Sequence, residues 1–103
     1  MLLKMIVKIH KKDEKTVVAV CDSDLLGKRL EQGDLQLDLT SDFYKGEEMD
    51  EKEAGDLIRN ADIVNLVGRN SVKLGIQEGI IEEDKILEVD GIPHAEAVIV
   101  HEE

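Results

Sequence analysis

Aromatic residues are nearly absent from this chain: Phe43 and Tyr44 are the only two, and there is no tryptophan. A core has to be closed by Leu, Ile and Val instead. The shortage also argues against RNA-binding folds that stack bases on several exposed aromatic rings. Cysteine is as scarce. Cys21 stands alone, which excludes an internal disulfide and fits a reducing, cytoplasmic setting. No apolar run approaches the ~20 residues of a membrane helix. The opening Met1–Lys8 stretch is broken by Lys4 and Lys8, and no small-residue cleavage site follows, so it does not read as a secretory signal.

Positive charge is scarce in the second half. Residues 1–45 hold eight Lys/Arg against eight Asp/Glu, whereas residues 46–103 hold five against sixteen and carry the whole net charge of −11. Non-specific nucleic-acid binding relies on Lys and Arg neutralising phosphates, so it is not expected here. Lys4, Lys8, Lys11, Lys12 and Lys15 gather near the start, diluted by Asp13 and Glu14. They read as a basic hairpin tip on a chain otherwise charged for solubility.

What is present fits one domain, residues 1–103, with no linker or repeat. Residues 4–10 and 16–21 are β-branched and apolar around a charged turn, which predicts a hairpin with a buried second strand. Asp22 or Ser23 is placed to cap a helix over Asp24–Glu31, with Lys28 and Arg29 toward its negative end and Gly33 stopping it. Leu35, Leu37 and Leu39 alternate with polar residues as in a half-buried strand, and Phe43–Gly46 follows as a loop.

The clearest helix signal comes next. Asp50 and Glu53 have capping-box spacing, Met49 and Ala54 occupy staple positions, and Ala54, Leu57, Ile58 and Ala61 make one apolar stripe. Residues 63–67 form either a short buried strand or an apolar link. A third helix is expected to run to about Glu78, capped by Asn70 or Ser71, with Gly75 packed closely and Gly79 ending it. Two runs around Asp90-Gly91 predict a closing hairpin, with Pro93 limiting the pairing near its turn. The order β-β-α-β-α-(β)-α-β-β predicts an α+β fold, a small mixed or antiparallel sheet with helices on one face.

Several stretches together resemble an uncharacterised archaeal family, domain-of-unknown-function family 424. They are Val7-Lys8-Ile9-His10, Val17 to Asp22, Leu25-Leu26-Gly27-Lys28, Phe43-Tyr44-Lys45-Gly46, Asn65-Leu66-Val67-Gly68 and Gly91-Ile92-Pro93-His94-Ala95. They span about residues 5–100. The resemblance implies an archaeal cytoplasmic protein, makes Met1–Lys4 an N-terminal extension, and implies no activity. Glu96 stands where the family pattern would have Gln.

Two places are candidates for chemistry or binding. Cys21 ends a strand just before an expected helix start, where backbone N–H groups lower a thiol pKa, and His94 is available as its base. Asp22 and Asp24 oppose a thiolate, and a buried Cys is commonly only a small hydrophobe. The second place is Gly68-Arg69-Asn70-Ser71, with Lys73 in the same turn: free N–H groups, a glycine and cations suit a phosphate or carboxylate. The bland reading there is a tight turn with an ordinary cap.

Further candidates are Asn65, whose amide needs partners inside an apolar stretch, Tyr44, which can anchor its loop, and Lys28, which serves a helix end or an anion. His10, His94, His101, Cys21, Asp22 and Asp24 lack metal-ligand spacing, so no metal site or cofactor is expected. Three functions remain in play: a non-catalytic accessory or binding module for a protein, RNA–protein or small anionic partner; a small Cys21–His94 enzyme; and a homo-oligomeric structural protein.

Overall fold

The computed structural model describes residues 3–101. Eight strands and two helices follow in the order β1 (Lys4–Lys12), β2 (Lys15–Asp22), β3 (Arg29–Gln32), β4 (Leu35–Asp38), β5 (Glu47–Asp50), α1 (Glu51–Arg59), β6 (Ile63–Val67), α2 (Arg69–Gln77), β7 (Leu87–Val89) and β8 (Ile92–Val98). Met1 and Leu2 of the expected extension lie outside the described residues. Lys4 already belongs to β1.

The main sheet has six strands in the order β5-β1-β2-β6-β8-β7. Only β2 and β6 run parallel; the other neighbours are antiparallel. The apolar run at 63–67 is thus a central strand. Both of its faces are covered, Val64 and Leu66 by the helix-side core and Val67 by the second core, which is why its sequence shows little alternation. Residues directly opposite on paired strands point to the same face, so the register sorts the core into two halves.

On one face Val7, Val20, Leu66 and Ala95 form one row and Val18 and Val64 another. They pack with Ala54, Ile58 and Ala61 of the α1 region and Val72 and Leu74 of α2. Both helices therefore cover one face, as the α+β reading expects. Asp50 caps α1 by accepting from the Lys52 and Glu53 N–H groups at 3.0 and 2.9 Å. Gly75 brings α2 close to the sheet: a Cβ there would collide with Leu66 Cδ1 and come within 2.9 Å of Ile81 Cγ1.

The opposite face is closed differently, and here the sequence reading needs correction. No helix spans Asp24–Glu31. A single 3-10 turn, Ser23–Leu25, leads into a small separate hairpin of β3 and β4. Gly27 has φ +88° and turns the chain away, while Gly33, at φ +60°, makes the hairpin bend instead of stopping a helix. Leu25, Leu26 and Leu30 fit a helical stripe, but what they satisfy is one buried patch. Leu25, Leu30 and Leu39 join Ala19, Cys21, Tyr44, Val67 and Val89 in a second core. Leu35 is exposed, Leu37 half-buried and Leu39 buried just past β4. Strand β5 was also not foreseen. Its Glu47 and Glu48 suit an edge, where charge discourages pairing with another chain.

The closing hairpin turns on Asp90 and Gly91, both at positive φ (53° and 76°), as an Asp-Gly turn between two strands requires. Among the described residues no helix is long and apolar enough to cross a membrane.

Candidate functional site

At the turn before α2 the backbone N–H groups hold a carboxylate of the protein itself. Gly68 is the helix N-cap, at φ 107°, and makes no side-chain cap. Asn70 and Ser71, expected as caps, lie inside the first turn. Their backbone N–H groups donate to the Asp22 carboxylate at 3.0 and 2.8 Å, and the Ser71 hydroxyl donates to it at 2.7 Å. Asp22 therefore caps α2, forty-eight residues along the chain, and not a helix of its own. Asp22 and Ser71 are both buried. A Cβ on Gly68 would collide with that carboxylate, so glycine is needed for both its φ and its lack of a side chain. Arg69 and Lys73 remain exposed, and neither forms an ion pair among the described residues.

The structure does not bring Cys21 and His94 together. Cys21 lies opposite Val67, and Val67 lies opposite His94, so the two share a face with a whole strand between them. Two strand steps separate their Cα atoms by roughly 10 Å. The Cys21 side chain is fully buried, and its thiol donates to the Asp22 carbonyl at 3.3 Å. Burial pushes its pKa up to about 12, with Asp22 and then Asp24 adding to the rise. A thiol in that state is a core group.

His94 instead reaches a hollow of about 620 Å³ on the hairpin side of the sheet. Four strands and two turns build it. Asn65 comes from β6; Glu96 sits directly opposite it on β8, with His94 two residues earlier on the same strand. Tyr44 enters from the 3-10 turn Asp42–Tyr44, Lys85 from the turn Glu83–Lys85, and Leu37 and Leu87 give apolar walls. Pro93 and its neighbours set His94 in place: the Gly68 N–H donates to the Pro93 carbonyl at 2.8 Å, tying the start of β8 to the α2 turn.

The electrostatics of the hollow are those of a neutral donor set with one charge of each sign. Burial pushes the Tyr44 phenol up to about 12, reinforced by Cys21 and Glu96, so it stays an O–H donor. Burial also holds His94 below its ordinary 6.5, which leaves a neutral imidazole at pH 7 with one donor and one acceptor nitrogen. The side chains of Tyr44, Asn65, Lys85, His94 and Glu96 make no hydrogen bond or ion pair to any described residue.

Sequence reasoning singled out Tyr44, Asn65 and His94 separately, and the fold brings them to the lining of one hollow. It missed Lys85, which the turn Glu83–Lys85 brings in, and gave Glu96 no role, because only the β6–β8 register places it opposite Asn65. Lys28 is exposed, and with no helix beside it its expected role at a helix end falls away. The three histidines are dispersed: His10 meets the Phe43 carbonyl, His101 the Ala61 carbonyl, and His94 the hollow.

Fold and hollow define a small α+β domain with a six-stranded mixed sheet, helices on one face and, on the other, a hollow with mixed apolar and polar walls. A family model described as "Protein of unknown function (DUF424)" matches residues 9–100, and the chain belongs to that family. The chain is also similar to a solved structure, an uncharacterized conserved protein from the archaeon Methanopyrus kandleri. The two are 29% identical with a TM-score of 0.83, over 97% of this chain and 95% of that one. No curated protein matches.

Proposed function

We propose that this protein is a non-catalytic binding module whose site is the hollow between β6, β8 and Tyr44. One observation carries the reading. Five polar side chains line it, Tyr44 buried, Asn65 and His94 half-buried, Lys85 and Glu96 exposed, and none is engaged by another described residue, so all five are open to a ligand. Its volume falls in the usual range of small-ligand sites, about 300–1,000 Å³. Glu96 accepts N–H or O–H groups, Asn65 and neutral His94 both donate and accept, Tyr44 donates, and Lys85 takes an anionic group at the mouth. A polar, planar ligand with mixed donors and acceptors fits this set.

The competing readings have less support. A Cys21–His94 enzyme needs a thiolate within hydrogen-bond reach of an imidazole, and neither condition is met. Homo-oligomerisation through a sheet edge would use β5, with four residues, β7, with three, or the parts of β1 and β8 that they leave uncovered, and β5 carries Glu47 and Glu48 against such pairing. External anion binding at Gly68–Ser71 would have to displace Asp22.

Ligand-observed NMR against free nucleosides and free amino acids tests the site. Binding of one class is expected. Asn65→Ala and Glu96→Ala should each weaken it by at least about tenfold, the effect of losing one good hydrogen bond to a charged or buried group. No binding from either class, or affinity unchanged in both variants, would remove the proposal.

A further inference from the structure

We propose that the hollow is one end of a longer track and that the track binds single-stranded RNA. The proposal rests on the hollow being a binding site and adds the partner. Aromatic rings are so few in this chain that their placement carries weight. The His10 ring stacks on Phe43 with centroids 4.6 Å apart and planes 12° off parallel. Phe43 meets Tyr44 edge-on at 5.0 Å, and Tyr44 lines the hollow. Both aromatic residues and one histidine thus form a single row from β1 to the hollow. The row is assembled from two segments thirty-three residues apart.

Cations accompany the row. Lys8 and Lys12 alternate with His10 along β1 and so project to the same face. Lys15 lies directly opposite Lys12. Like charges facing each other across a hairpin are destabilising. Lys8, Lys12 and Lys15 form no ion pair with any described residue. A bound phosphate backbone would relieve that repulsion. The acidic residues of 46–103 do reach the row, since Glu47 and Glu48 of β5 pair with β1 and Glu96 lines the hollow, so attraction to phosphate is concentrated at the hairpin tip, where Lys12 and Lys15 extend.

The polymer is single-stranded because a ring row along a sheet reads splayed bases, whose edges a duplex hides. RNA is favoured over DNA because the hollow presents acceptors, the Glu96 carboxylate and the neutral His94, that a 2′-hydroxyl can supply with a proton. Phosphates then lie over Lys8, Lys12 and Lys15, and one base enters between Tyr44, Asn65 and Glu96.

Fluorescence anisotropy of a short labelled mixed-sequence RNA with the full chain decides the matter. At low salt binding is expected. With about three phosphate contacts, log K should fall against log salt with a slope near −2. The exposed pair K12E/K15E should weaken binding by tenfold or more and flatten that slope. F43A should weaken it about tenfold, as loss of one base-stacking ring does, with F43L as a folding control and circular dichroism on every variant. Duplex RNA and single-stranded DNA should bind more weakly.

No binding at low salt, or affinity unchanged in K12E/K15E, overturns the track. Equal affinity for DNA overturns the assignment to RNA. If free nucleosides still occupy the hollow while RNA does not bind, this inference fails alone. If RNA binds normally to the Asn65→Ala variant, the hollow is not the end of the track and the inference fails in that part.

Discussion

Replacing Asp22 by Ala should be among the most damaging single changes outside the helix-side core. The carboxylate accepts three hydrogen bonds, two from backbone N–H groups of the first turn of α2 and one from the Ser71 hydroxyl. Loss of an N-cap alone costs about 0.5–2 kcal/mol, and hydrogen bonds to charged groups contribute about 1.5–3 kcal/mol each. Their full sum is not expected, because a hollow of about 240 Å³ lined by Asp22, Asp24, Arg69 and Asn70 lets water reach part of the turn. Buried Ser71 stays unsatisfied. The net loss should be about 2–4 kcal/mol, near 10–25 °C in Tm for a domain this size.

Urea unfolding with an unchanged slope is the assay. Asp22→Asn should cost less, about 1–2 kcal/mol, since its amide oxygen still accepts while its NH₂ faces donors. In a double-mutant cycle, Asp22→Ala and Ser71→Ala should couple by about 1 kcal/mol. A loss below about 0.5 kcal/mol for Asp22→Ala, or no coupling, would refute a structural lock at this turn.

Three other outcomes follow from the geometry. Gly75→Ala should destabilise by about 1–3 kcal/mol despite alanine's better helix propensity, because its methyl collides with Leu66 and crowds Ile81; a rise in Tm would show that the close approach is not real. Cys21 should resist iodoacetamide in the folded protein at pH 8 and react only as fast as the chain opens; rapid native-state alkylation would contradict its burial and raised pKa. His94 is held below 6.5 in the folded state, so the unfolded chain binds the extra proton first; stability from this residue is fully present above pH 6.5 and declines as pH falls through it. His94→Gln should flatten that part of the stability–pH curve, and an NMR titration placing His94 above 6.5 would reverse the sign.

Where local pattern and tertiary demand agree, the sequence by itself determined the outcome. Asp50 caps α1 because a carboxylate three residues before Glu53 can reach the first free N–H groups whatever surrounds it. The Ala54–Ala61 stripe has to find a core, and Asp90-Gly91 bends into a hairpin because few other residues tolerate those φ values. Those signals sufficed for an α+β sheet with helices on one face.

Leu25, Leu26 and Leu30 show the limit. Their spacing suits a helix, but the sheet's second face needs covering, and a turn plus a short hairpin does it. The site was legible only in pieces. That Asp22 reaches Ser71, that Val67 keeps Cys21 from His94, and that Asn65 meets Glu96 beside Tyr44 all depend on strand register. Register is set by pairing between distant segments, and no local run of residues encodes it.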